Sequence, residues 1–485
     1  MEKESLVMNY KQYINGRWVD AQSGATWTVI DPATEAAILD VPFGDAADAE
    51  AAIAAAAAAQ PKWAAMTAYE RGAILRRVAD LIYSRLDELA PIMTRECGKP
   101  LAEARGEWTA CADLFDWFAE EGKRAYGRTI PPRRGHKRLL AIPMPVGVVA
   151  TITAWNFPAY LPARKWSGAL AAGCTVVARP SELTPMSAMA LVNLLEEAGM
   201  PPGVLNLVNG QPAPIGEVFL RSPQVDKLSF TGSQAVGRLL MRNAAEGIKR
   251  LSLELGGSAP VLVFPDVDVE AVAKIAVAAK FRNNGQVCIS PSRFYVHRAI
   301  EDDFIAASRA IVENLVVGPG LDPQVTTGPL VSAAARTRIA DFVADAVERG
   351  AQVLTGGAPP PGRARGFFYA PTLLTNLAPQ MRVMQEETFG PVMLLNSFDD
   401  MASALAQANN TPYGLAAYVL TNDLRTAIRA YEGLKFGIIG VNDMTPATAE
   451  APFGGVKQSG FGREGAQEGL HEYMEIKFVS MAIEG

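Results

Sequence analysis

Cys288, in "NNGQVCISP" (Asn283 to Pro291), is one of four cysteines in the 485-residue chain. A cysteine there can be a core residue, a metal ligand, a crosslink or a nucleophile. The others, Cys97, Cys111 and Cys174, form no CxxC pair with it, and the three histidines (His136, His297, His471) show no ligand spacing. A zinc site is therefore not expected. "MEKESLVMNYKQ" at the start lacks the apolar run of a secretion signal, so a reducing, cytoplasmic setting without disulfides is expected. The scarcity of histidine also weakens a cysteine hydrolase with a histidine partner.

Other residues offer complementary chemistry. Glu254 in "LSLELGG" ends an apolar run. Burial would raise its pKa and suit it to general-base work; the alternative is a structural carboxylate satisfied by backbone amides. Asn156 in "AWNFP" lies between two aromatics and could donate to an oxyanion or merely cap its own loop. In "FTGSQAVG", Thr231, Gly232 and Ser233 lead from a strand into a helix, which suits a phosphate as well as it suits a plain turn and cap. In "RPSE", Arg179 and Glu182 could hold ribose hydroxyls or form a surface ion pair. Gly460 to Gly465 fits GxGxxG, but only twenty residues follow it. That is too few for a βαβ unit, so the stretch reads as a loop closing over something.

These residues need a scaffold, and the pattern supplies one. "YINGRWVD" reads as a hairpin with its turn at Asn15-Gly16. A helix is expected from about Thr67 to Cys97, stopped by Gly98 and Pro100. From Val146 onward, short apolar strands ("VGVVATIT", "CTVVA", "GVLNLV", "DKLSFT", "RLSLEL") alternate with helices, which specifies a parallel α/β sheet. Ligands bind at the carboxyl ends of such strands, so "AWNFP", "RPSE", "FTGS" and "ELGG" should converge there. A second β/α region, from about Pro260 to Lys457, places Cys288 across a cleft from the first. "YMEIKFVSM" (Tyr473 to Met481) alternates like a strand with no neighbour in sequence to complete it, which points to pairing with another subunit.

Composition narrows the classes. The length calls for two or three domains. With 45 basic and 51 acidic residues the net charge is −6, so neither a nucleic-acid nor a membrane partner is expected. The one basic run, Arg133 to Arg138, reads as a solvated hairpin tip.

Seven motifs in order, "TAWNFP", "AAGCTVVARPSELTP", "FTGSQAVG", "LELGG", "GQVCIS", "EETFGPV" and "PFGGVKQSGFGREG", resemble the NAD(P)-dependent aldehyde dehydrogenase family along nearly the whole chain. The resemblance implies a Rossmann-type cofactor domain (1–122 and 146–257), an α/β catalytic domain (258–457) and a β-arm for homodimers or homotetramers (123–145 and 458–485). It implies that Cys288 attacks the aldehyde carbon, Asn156 holds the oxyanion, and Glu254 activates the water that hydrolyses the thioester. It further implies cofactor contacts from Ile152, Thr153, Trp155, Arg179, Ser181, Glu182, Phe230, Thr231, Gly232, Ser233, Leu255, Glu387 and Phe389. Glu182 should repel a 2′-phosphate and favour NAD, whereas Arg179, where the family usually has lysine, leaves NADP open.

"LFDWFAEEGKRAYGRTIP" and "KFRNNGQVCIS" are similar to the succinate-semialdehyde and 2-ketoglutarate-semialdehyde branch. Arg164 and Arg282 match the arginines that hold the substrate's distal carboxylate there, unless either pairs with a neighbouring acid. The branch's serine before "PFGG" has no counterpart in "TPATAEA". Ser290 replaces a second cysteine, so no disulfide switch forms at that position. Rival readings are an uncharged-aldehyde enzyme, a CoA-acylating relative (which Glu254 argues against) and a catalytically silent structural protein.

Overall fold

A computed structural model describes residues 8–483. The first seven residues, within the stretch that reads as lacking a leader, lie outside it. Two mixed sheets dominate. The first runs Gly460–Phe461, Arg250–Leu255, Lys227–Gly232, Val148–Ile152, Thr175–Arg179, Leu205–Leu207, Gln12–Ile14, Arg17–Val19. Its five middle strands are parallel. The chain steps outward from Val148–Ile152 in one direction, then returns to add Lys227–Gly232 on its other side. The topological switch therefore lies between those two strands, where an α/β sheet opens a crevice for a ligand.

The second sheet runs Gln352–Thr355, Thr372–Thr375, Val392–Phe398, Pro291–His297, Ala259–Val263, Ala416–Leu420, Ile438–Val441, parallel except at the Gln352–Thr355 edge. An apolar cluster joins the two halves: Phe157 and Leu161 from the first region pack with Val261, Phe294 and Phe453, and Cys288 lies against it.

Local chemistry sets the boundaries. Asn15 and Gly16 both take positive φ, +52° and +74°, the tight turn that lets Ile14 face Arg17. The single helix expected over Thr67 to Cys97 is two, Ala68–Ser84 and Leu86–Cys97. Arg85 leaves helical geometry between them, and its side chain pairs with Glu197 at 2.5 Å. The apolar period carries on through the break, so the sequence pattern conceals it. Gly98 does end the second helix, at φ +86°.

The terminal strand Met474–Ala482 has a partner in its own chain: it pairs antiparallel with Lys137–Pro145, which also pairs Arg128–Ile130. The partner is more than three hundred residues away in sequence, so no local signal shows it. The other edge of the terminal strand stays open, with Ile476 64% and Phe478 61% exposed. Of the basic run, Arg133 to His136 occupies the exposed connection between the arm's first two strands, and Lys137 and Arg138 open the second of them. Part of the segment assigned to the arm, Gly460–Phe461, instead extends the first sheet. Among the described residues no helix is long and apolar enough to cross a membrane.

Candidate active site

The four strand-end loops meet. Every catalytic and cofactor candidate, from Ile152 to Phe389, lines one cleft of about 430 Å³ between the two sheets. Arg164 and Arg282 are not among its lining residues.

Cys288 stands on the cleft wall after an unusual turn. Asn283, Asn284 and Gly285 take positive φ in succession (+47°, +54°, +72°). Asparagine tolerates this region better than other residues that have a Cβ. The turn is fastened from outside: Asn283 N–H donates to Glu103 Oε2 at 2.7 Å, and Val331 N–H donates to Gln286 Oε1 at 3.0 Å. Burial pushes the Cys288 thiol up to about 12, with the carboxyls of Glu387 and Glu254 adding to the effect. Gly257 is required here, since a Cβ on it would lie 2.6 Å from the Cys288 carbonyl oxygen.

Glu254 lies at the end of strand Arg250–Leu255 and is buried, yet neither carboxyl oxygen has a hydrogen-bond partner among the described residues. The alternative of a carboxylate held by backbone amides is therefore not what the structure contains. Burial raises its pKa well above the ordinary value, and the nearby Glu464 raises it further. Lys165 and Arg164 pull it the other way. These cations are also bound to Glu464: Lys165 Nζ lies 2.5 Å from its Oε1 and Arg164 Nε 3.4 Å from its Oε2.

Asn156 does not cap its own loop. Its Nδ2 donates to the Gln286 carbonyl at 3.0 Å, across to the loop that carries Cys288. The amide has two N–H groups, and this bond uses one of them. Its backbone carbonyl accepts from Lys99 Nζ and from Asn283 Nδ2, both at 2.9 Å.

At the far end of the cleft, Ser233 caps helix Gln234–Ala244, so the positive end of that helix faces the lining residues. The buried Thr231 Oγ1 beside it has no hydrogen-bond partner among the described residues. Arg179 is buried and pairs with Glu182 at 2.5 Å, so this is no surface ion pair. Its Nε and Nη2 also donate to the Gly210 carbonyl at 3.2 and 2.8 Å. Near the thiol, Glu387 Oε1 accepts from Gly257 N–H at 2.9 Å, and burial pushes its pKa up to about 7. Phe389 and Trp155 meet edge to face at 5.5 Å. A helix N-terminus, an orphaned hydroxyl and a carboxylate at each end suit a dinucleotide: phosphates at the helix, a ribose at either carboxylate.

The two arginines differ. Arg164 is buried, pairs with Glu464, donates from Nη1 to Tyr160 Oη at 2.5 Å and stacks on Phe453 at 4.5 Å. Arg282 forms no ion pair among the described residues and lies 5.0 Å from the Phe157 ring centroid.

Sequence reasoning missed Lys165 and Glu464. A visible signal was an Arg-Lys pair inside the otherwise apolar helix Tyr160–Ala172, which is buried on all faces. Glu464 belongs to the GxGxxG-like stretch, which does close over something: these two cations and Glu254. Lys280 was also missed. Its amine, 3.2 Å from Ser290 Oγ, is pushed down to about 7 by burial.

A dinucleotide-dependent α/β oxidoreductase is the class that this cleft defines. The model of the aldehyde dehydrogenase family matches residues 18–479, and the chain belongs to that family. It is 45% identical to the succinate-semialdehyde dehydrogenase [NADP(+)] GabD of Escherichia coli (strain K12), over 99% of each chain. It is 44% identical to a glutarate-semialdehyde dehydrogenase of Pseudomonas aeruginosa, again over 99% of each. A solved succinate-semialdehyde dehydrogenase from Burkholderia pseudomallei superposes with a TM-score of 0.97 at 46% identity, covering 99% of both chains.

Proposed function

We propose that the chain oxidises a short carboxylated semialdehyde to the corresponding diacid through a covalent thioester on Cys288. One observation carries this reading: a thiol, an amide donor and an unpartnered carboxyl share a cleft wall beside the dinucleotide-shaped cradle. The Cys288 sulfur attacks the aldehyde carbon. The free N–H of Asn156 and the Cys288 backbone N–H stabilise the oxyanion that forms. When bound, the nicotinamide cofactor supplies the hydride acceptor that converts this adduct to a thioester. Glu254 then takes a proton from water, which cleaves the thioester. Its raised pKa makes it a stronger base than an exposed carboxylate.

Arg179 is fastened to Glu182 and Gly210, and Glu182 faces the ribose end of the cleft, so NAD is the favoured cofactor, with NADP tolerated. Arg282, which forms no ion pair among the described residues and feels the Glu103 carboxyl only at longer range, is the better candidate for the substrate carboxylate; Arg164 is committed to Glu464 and acts on charge balance around Glu254. The first sheet region holds the cofactor and the second carries the nucleophile. The arm's open edge, with Ile476 and Phe478 exposed, suits assembly into homodimers or homotetramers.

A panel of succinic semialdehyde, glutaric semialdehyde, 2-ketoglutarate semialdehyde and benzaldehyde, each with NAD and NADP, tests the reading. Higher kcat/KM for the anionic aldehydes is expected, and Arg282→Leu should erase the preference. Faster turnover of benzaldehyde, or a preference that survives Arg282→Leu, would defeat the substrate assignment.

A further inference from the structure

The catalytic reading depends on two loops from different sheets keeping a fixed distance. Asn156 follows strand Val148–Ile152, and Cys288 precedes strand Pro291–His297. The Cys288 turn occupies a costly backbone region, and besides the two direct bonds between the loops a third element fastens both.

Helix Leu101–Glu121 does this with two acids one turn apart. Glu107, 5% exposed, presents one carboxyl oxygen to the N–H groups of Ala159 (3.0 Å) and Tyr160 (3.1 Å), at the start of the helix that follows the Asn156 loop. Its other oxygen binds the ammonium of Lys99, 2% exposed. Lys99 in turn donates to the Asn156 carbonyl at 2.9 Å and sits 4.1 Å over the Phe157 ring. One buried ion pair thus grips the loop at residues 156, 157, 159 and 160. Glu103 accepts from the Asn283 N–H, the first residue of the Cys288 turn. Asn283 Nδ2 then closes the ring by donating to the same Asn156 carbonyl.

Resting on the oxyanion role given to Asn156, we infer that Lys99, Glu103 and Glu107 are positioning residues that set the register between the Asn156 amide and the Cys288 thiol. The physical grounds are strong for a buried pair. Ala159 and Tyr160 would lose a charged acceptor if Glu107 went, and the Lys99 ammonium would lose its counter-ion. The loop would then find another arrangement. A shift of about 1 Å at a donor aimed at a developing charge costs on the order of 10²-fold in rate.

The test is a cycle of wild type, Glu107→Gln, Asn156→Ala and the double variant, read by the rate of the NADH burst in stopped flow. Thermal melts are run on each protein to confirm folding. Glu107→Gln should slow the burst by roughly 10- to 100-fold, leave KM for NAD within about twofold, and leave the iodoacetamide alkylation rate of Cys288 unchanged. On the Asn156→Ala background it should slow the burst by less than about twofold, because the amide it positions is gone. A merely structural role predicts equal losses on both backgrounds, and that result overturns the proposal. So does a wild-type burst rate in Glu107→Gln when Asn156→Ala is slow. If Asn156→Ala itself bursts at the wild-type rate, the oxyanion assignment fails and the proposal falls with it. Should Glu107→Gln be recovered unfolded, Glu107→Asp keeps the charge, shortens the reach and takes its place in the same cycle, with the same supporting and overturning results.

Discussion

Replacing Glu254 with Gln separates the two halves of the reaction. The carboxyl makes no hydrogen bond in the structure, so the substitution deletes a proton acceptor without breaking a contact. A positioned general base contributes about 10²- to 10⁴-fold, equivalent to about 3–5 kcal/mol of barrier. That loss should fall on thioester hydrolysis alone. Stopped-flow absorbance should show a burst of close to one NADH per site at near the wild-type rate, followed by a steady state slower by about 10²- to 10⁴-fold. The wild-type hydrolysis rate should climb with pH through a value well above the ordinary carboxyl range, because burial and Glu464 hold the group protonated below it. Glu254→Gln should lose that climb. Stability moves in the opposite direction. The folded chain holds this proton more tightly than the unfolded chain, so the group's contribution declines as pH rises above the ordinary carboxyl value. The substitution removes that decline. A burst slowed as much as the steady state would place Glu254 in the first half-reaction, and an undiminished steady state would remove it from the mechanism.

Two further predictions concern charge. Burial is the first cause of the raised Cys288 pKa and Glu387 the next, so Glu387→Gln should lower it. Each unit of fall makes thiolate about tenfold more abundant, but each thiolate less nucleophilic, for a net rise of about threefold in iodoacetamide alkylation at pH 8; an unchanged or slower rate contradicts the assignment. Glu182→Ala should free Arg179 from its ion pair and remove the repulsion toward a 2′-phosphate, raising the NADP-to-NAD ratio of kcat/KM on the order of tenfold. A ratio that stays put would mean that Arg179 remains held by the Gly210 carbonyl alone.

The parallel strands of the first sheet were legible because each is a short apolar run bounded by turn residues, and their carboxyl-end loops could be read off and expected to converge. Periodicity could not show where Arg85 breaks a helix, since both halves bury the same face. The hairpin Thr26–Ile30 with Ala37–Pro42, and strands Gln352–Thr355 and Thr372–Thr375, were missed because they are short or lie at a sheet edge, without a continuous apolar run. In the site, residues that announce their chemistry by type and loop position (Cys288, Glu254, Asn156) stood out as candidates, and the fold brings them to one cleft. Those that act across long sequence separations were not. Lys165 meets Glu464, and Lys99 meets Asn156, only after folding, and each looks in sequence like an ordinary charge on a helix or turn. Arg164 shows the converse: its type and motif suggested substrate binding, while its neighbours commit it to Glu464.

The central claim is that Cys288 carries the substrate as a thioester. The most direct measurement is intact and peptide mass spectrometry of Glu254→Gln after quenching with acid during reaction with NAD and succinic semialdehyde. The account predicts an acyl adduct confined to the peptide containing Cys288, formed in proportion to the NADH burst and absent when Cys288 is replaced by Ala. A full burst without any adduct, or an adduct on another residue, would contradict it.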